Sequence, residues 1–222
     1  MSGGTAALFD IDGTLVDSNY LHVDAWLRAF HAVGHPVDSW RIHRAIGKDS
    51  SLLLETLLGD KADELGDKAE ELHSEFYLRS AELLRPFDHA RELVTAVAGR
   101  GVKVVLATSA SADELERLRS TLDVEDAIAE ITSSKDVGTA KPEPEIVEVA
   151  LDKAGVPADK AVFVGDAVWD VVAAKKIGVP TIGLLSGGVS EAELRDAGAI
   201  AVYDDAGALL RELDGSALAT LW

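Results

Sequence analysis

Ala6-Ala7-Leu8-Phe9-Asp10-Ile11-Asp12-Gly13-Thr14-Leu15-Val16-Asp17-Ser18 is the stretch whose reading decides the fold. It opens on an apolar run and then places two carboxylates two residues apart. Successive side chains of a strand point to opposite faces, but a loop containing glycine can turn both acids toward one pocket at the strand's carboxyl end. One carboxylate can attack an electrophile and the other can hold or release a proton. Together they make a Mg²⁺ site plausible, because this ion prefers oxygen ligands.

The rest of the chain follows a pattern that such a strand end requires. Residues 17–85 carry helical periodicity, as in Leu21, Ala25, Trp26, Ala29, Phe30 and Val33, and no strand. Gly34-His35-Pro36 ends the first helix, a second is expected near residues 38–46, and a third begins at Asp49 or Ser50 as N-cap. A fourth is expected over residues 60–84 with an apolar stripe of Leu65, Leu72, Phe76 and Leu83. From Pro86 the rhythm changes to short apolar runs alternating with helices: strands near 102–107, 161–164, 180–184 and 199–202 and a short apolar piece at 127–131, with helices near 88–98, 112–122, 143–154, 168–177 and 206–213. That alternation predicts an α/β fold with a mostly parallel, Rossmann-like sheet, formed by residues 1–16 and 86–222. Residues 17–85 are expected to be a helical-bundle domain inserted after the first strand.

Composition narrows the function. The 222 residues carry 21 Lys and Arg against 39 Asp and Glu, a net charge of −18, which argues against nucleic acid and anionic membranes as partners. There is no cysteine, so disulfides and thiolate metal sites are excluded. Met1-Ser2-Gly3-Gly4 reads as a loose lead-in, and no early apolar run has the length of a signal sequence, so a cytoplasmic location is expected. An anionic substrate would be repelled by this overall field, so a buried lysine, helix N-termini and a divalent cation would have to reverse the sign locally.

Polar groups recur where strands are expected to end. They are Asp10 and Asp12 after the first strand, Thr108 and Ser109 after Val104-Val105-Leu106-Ala107, Lys141 in Thr139-Ala140-Lys141-Pro142, and Asp166 with Asp170 in Gly165-Asp166-Ala167-Val168-Trp169-Asp170. Parallel neighbouring strands would turn all of them into one crevice.

These residues, in this order, resemble the haloacid dehalogenase superfamily, in particular its helical-cap phosphatases of the phosphoglycolate phosphatase and β-phosphoglucomutase kinds. The resemblance covers essentially the whole chain and makes residues 17–85 a cap domain on an α/β core. It implies Asp10 as nucleophile, Asp12 as general acid and base, Thr108 and Lys141 as phosphate ligands, Asp166 as a Mg²⁺ ligand and Asp170 as a supporting acid near the metal. The backbone carbonyl of Asp12 would complete the metal's protein oxygens. Backbone N–H groups near Ser109 and Asp12 would assist in binding phosphate. Thr14 reads as a loop-packing residue. In the cap, His22 and Trp26 resemble a His–Trp pair of sugar-phosphate members, against a buried hinge pair as the alternative. Lys48 in Gly47-Lys48-Asp49 stands where cap loops read substrate, against a solvated lysine.

The implied activity is Mg²⁺-dependent hydrolysis of a small phosphorylated metabolite through a phospho-aspartate, by a monomer or homodimer. Two other readings use similar parts. A phosphosugar mutase would need the phospho-aspartate protected from water, but the Gly165-Asp166 motif is closer to phosphatases than to the Glu-Asp pair of mutases. A non-catalytic phosphoacceptor module shares the Asp, Thr and Lys, yet has neither an inserted bundle nor an acid placed like Asp12.

Overall fold

The computed structural model describes residues 4–136, 138 and 141–222. Met1 to Gly3 of the expected lead-in, and Thr139 and Ala140 before Lys141, lie outside the described residues.

Six strands form one parallel sheet: β1 (Ala6–Phe9), β2 (Lys103–Leu106), β3 (Glu130–Ile131), β4 (Ala161–Gly165), β5 (Thr181–Leu184) and β6 (Ala201–Tyr203), in the order β3-β2-β1-β4-β5-β6. All four residues of β1 are buried. A strand covered on both faces needs no polar alternation, which is why its sequence is uninterruptedly apolar. Ala6 and Leu8 join one core with Val105, Phe163, Ile146, Val147 and Ala150. The chain builds outward from β1 first through β2 and β3, then through β4, β5 and β6, so the order reverses beside β1. Ligand sites of such sheets lie beyond the carboxyl ends of the strands at that reversal.

Ten α-helices are described: α1 (Asn19–Ala32), α2 (Ser39–Ala45), α3 (Ser50–Leu58), α4 (Ala62–Arg79), α5 (Ala90–Ala98), α6 (Ala112–Leu122), α7 (Glu145–Ala154), α8 (Val168–Lys176), α9 (Glu191–Ala197) and α10 (Ala206–Arg211). The chain divides into two compact units, Met1–Asp17 with Arg85–Trp222, and Ser18–Leu84. In the first, the segments leaving and re-entering the unit run side by side: the Asp17 N–H donates to the Arg85 carbonyl at 2.9 Å and the Phe87 N–H to the Leu15 carbonyl at 2.9 Å.

Two details differ from the sequence reading, and one selects between the alternatives it left open. Helix α9 was not expected. Its signal is a capping box, in which Ser190 accepts from the Glu193 N–H and Glu193 reaches back to the Ser190 N–H. The third helix is capped by Asp49, whose carboxylate accepts from the Ser51 N–H at 2.9 Å. The buried stripe of α4 is Gly66, Ala69, His73 and Tyr77, with Leu65, Leu72 and Phe76 only partly buried and Leu83 exposed beyond the helix end. Small residues at 66 and 69 favour close packing, so the larger apolar side chains flank the contact.

On β5 the Thr181 side chain is 2% exposed, and its hydroxyl has no hydrogen-bond partner among the described residues. A buried hydroxyl without a partner loses its hydration with no return. Thr181→Val, nearly equal in volume, is expected to stabilise the protein by about 1 kcal/mol in urea denaturation. A loss of stability would contradict this.

Candidate functional site

The sheet register brings the sequence-predicted residues of the first unit to one edge. Phe9 pairs with Leu106 on one side and Val164 on the other. Asp10 directly follows Phe9, while Thr108 and Asp166 each follow their strand partner by two residues. The backbone keeps the ladder going beyond the strands: the Asp10 N–H donates to Val164 at 3.0 Å, and the Ala107 N–H to Phe9 at 2.7 Å.

Lys141 closes the arrangement from a distant part of the chain. Its Nζ lies 2.6 Å from Asp10 Oδ1 and 2.7 Å from Asp170 Oδ1, and all three residues are buried. The other oxygen of Asp170 accepts from the Ala167 N–H at 3.0 Å, at the start of α8. Gly165 makes room for it, because a Cβ there would collide with the Asp170 side chain. Asp170 therefore anchors Lys141 to the head of a helix. Asp166 is 2% exposed and accepts from the Thr14 hydroxyl at 2.8 Å. Thr14, expected only to pack the loop, is fully buried and orients an acid.

Asp10, Asp166 and Asp170 each offer a carboxylate oxygen, all within 4.8 Å of one another. Three buried acids against one buried lysine leave surplus negative charge. Burial pushes the Asp10 carboxyl well above the usual range; Lys141 opposes this, while Asp170, Asp166 and Asp12 reinforce it. For Lys141, burial works against the charge, but Asp10 and Asp170 outweigh it and hold the ammonium protonated. An all-oxygen, negatively charged cluster matches the ligand chemistry of Mg²⁺.

Thr108 is buried, and its hydroxyl accepts from the Ala110 N–H at 3.1 Å, folding the loop after β2. The N-cap of α6 is Ser111. Ser109 is half-buried beside it, and Asp12 is half-buried beyond Asp10.

A family model described as haloacid dehalogenase-like hydrolase matches residues 7–184. The chain belongs to the haloacid dehalogenase-like hydrolase family. It is 30% identical over 212 residues to a phosphoglycolate phosphatase of Rhodospirillum rubrum, covering 90% of this chain and 87% of that one. It is 32% identical over 203 residues to a phosphorylated carbohydrates phosphatase of Thermotoga maritima, covering 89% and 93%. The crystal structure of a hydrolase from Pseudomonas syringae superposes with a TM-score of 0.89 at 36% identity, covering 95% of this chain and 98% of that one.

In this haloacid dehalogenase-like hydrolase, His22 and Lys48 belong to the second unit. Lys48 donates to the Thr56 hydroxyl at 3.0 Å, and burial lowers its pKa. His22 Nδ1 lies 3.0 Å from His73 Nε2. Its ring stacks on Tyr77 at 4.0 Å, while His73 stacks on Trp26 at 4.1 Å. The sequence reading passed over His73. Its signal was spacing: His73 and Tyr77 repeat on α4 the four-residue step of His22 and Trp26 on α1.

Burial, and then His22, push His73 well below the ordinary histidine range. As pH falls below about 6.5 the unfolded chain takes up a proton that the folded ring refuses, so folding stability must fall. The slope is at most about 1.4 kcal/mol per pH unit, ending at the lowered folded value. His73→Leu is expected to flatten this dependence between roughly pH 7 and pH 5 in urea titrations. An equal slope in the variant would show that another group carries it.

Proposed function

We propose that this chain hydrolyses a small phosphomonoester through a phospho-aspartate at Asp10, in a Mg²⁺-dependent reaction. The observation that carries the reading is the buried acid cluster at the end of the central strand, with Lys141 in contact with Asp10. The phosphatases among the relatives support the same reaction class.

Asp10, with Asp166 and the Asp12 carbonyl, would hold the ion, and Asp170 would keep Lys141 in place. When bound, Mg²⁺ would neutralise the surplus acid charge, favour ionised Asp10 and offset the repulsion between carboxylate and phosphate. Lys141 would bind a phosphate oxygen, and Thr108 with nearby backbone N–H groups would donate hydrogen bonds to others.

Asp10 Oδ forms the new bond to phosphorus as the ester P–O bond breaks. Asp12 gives its proton to the leaving oxygen. Asp12 then takes a proton from water, whose oxygen attacks phosphorus, releasing inorganic phosphate and restoring Asp10. The helical unit, proposed as a cap, would choose the leaving group and exclude bulk water, with His22 and Lys48 as its candidate contacts.

Asp10→Asn is expected to lower turnover of p-nitrophenyl phosphate by about a thousandfold or more, because it removes the nucleophile itself. Asp12→Asn is expected to accept phosphate on Asp10 and then stall. Steady turnover by Asp10→Asn would overturn the reading. Chelation with EDTA is expected to abolish activity and excess Mg²⁺ to restore it; undiminished rates in chelator would remove the metal from the reaction. A panel of phosphometabolites, compared by kcat/KM, would identify the substrate.

A further inference from the structure

The loop after β5, Leu185-Ser186-Gly187-Gly188, contributes no group to the chemistry described above. It nevertheless touches the acid cluster's supports at two points. The Ser186 hydroxyl donates to the Gly13 carbonyl at 2.6 Å, across 173 residues of sequence. Gly187 is buried against Asp166, and a Cβ there would collide with that carboxylate.

We propose that this loop positions the metal side of the site: Ser186 fixes the Asp12-Gly13-Thr14 turn, and Gly187 gives the Asp166 carboxylate its place.

The turn explains why an external contact matters. Gly13 has φ 75°, a conformation that glycine adopts without strain. The Ile11 carbonyl accepts from the N–H groups of Thr14, Leu15 and Val16, at 3.2, 2.9 and 2.9 Å. The Gly13 N–H donates to Val16 at 2.9 Å. These bonds shape the turn internally, while Ser186 ties its Gly13 peptide to a different strand end. That peptide adjoins the Asp12 carbonyl, the oxygen proposed above as a metal ligand. Thr14, at the other end of the turn, donates to Asp166 Oδ1, and Asp166 Oδ2 lies over Gly187. The contacts thus form a closed circuit: Ser186 to Gly13, Thr14 to Asp166, and Asp166 back onto the Ser186-Gly187 loop. Partners of this kind orient metal-binding oxygens without touching the ion.

The inference rests on the proposed Mg²⁺-dependent reading, and its test separates the two. Calorimetric titration of Mg²⁺ into the full, metal-free chain measures binding without turnover. Ser186→Ala is expected to weaken Mg²⁺ binding by about 3- to 10-fold, the range for losing one ordering hydrogen bond. The Mg²⁺ concentration for half-maximal hydrolysis of p-nitrophenyl phosphate should rise by the same factor, and excess Mg²⁺ should recover most of the rate. Ser186→Thr keeps the hydroxyl and is expected to bind Mg²⁺ nearly as the parent does. Gly187→Ala, if it folds, should weaken binding by more than about tenfold.

A merely structural role would lower thermal stability while leaving the Mg²⁺ titration where it was. Binding by Ser186→Ala within about twofold of the parent would overturn the proposal, since that is below the effect of one lost hydrogen bond. Equal weakening in Ser186→Thr, or a parent chain that takes up no Mg²⁺, would also overturn it. Ser186-dependent Mg²⁺ binding in a chain that hydrolyses no phosphomonoester would sustain the positioning role and discard the phosphatase reading.

Discussion

Lys141, held between Asp10 and Asp170, is the interaction on which the rest of the site depends. A buried ammonium without partners is far costlier than a paired one, and so is a buried carboxylate. Removing one partner of a buried ion pair typically costs about 3–5 kcal/mol, because the other charge is left uncompensated. Here the compensation is deliberately incomplete. One lysine faces Asp10, Asp170 and, nearby, Asp166, so the cluster retains negative charge and an affinity for a proton or a cation.

The topology supplies what the charges need. Asp10, Lys141 and Asp166 are far apart in the chain and meet because β1 is the central strand at which strand order reverses. β1 is apolar and buried on both faces, so the polar groups can begin only beyond its last residue. The same geometry places α8 immediately after β4, where its first-turn Asp170 both caps the helix and anchors Lys141. A stabilising device of an ordinary helix start has thereby become part of the electrostatics around Asp10.

The parallel sheet and the polar residues at its edge were legible in the sequence because each polar group interrupts or closes an apolar run. Asp10 and Asp166 could be found by that rule alone. Lys141 could not: it stands in a loop, and its significance came from its order among the other motifs. What escaped reading were residues whose role exists only in three dimensions. Thr14 looked like loop packing until its hydroxyl met Asp166, 152 residues away. Ser186 and Gly187 carry no motif, and their contacts to Gly13 and Asp166 depend on two strand ends meeting. His73 was hidden among the acids of α4, although its four-residue step to Tyr77 matched His22 and Trp26. The Ser190 capping box was readable and marks α9 plainly once local hydrogen bonding is considered before periodicity.

The net charge of −18 gives this local arrangement its significance. That overall charge repels an anionic substrate, whereas Lys141, together with a cation held by the acid cluster as proposed, would reverse the field at one place. Asp10 is the atom-level centre of that reversal and the proposed acceptor of the phosphoryl group. Borohydride reduction during steady turnover of p-nitrophenyl phosphate tests it most directly, because hydride converts an acyl phosphate to an alcohol. Peptide mass analysis is predicted to find homoserine in place of Asp10 and unmodified aspartate at Asp12, Asp166 and Asp170. Unmodified Asp10 in an enzyme reduced during turnover, or homoserine at another of these positions, would contradict the account.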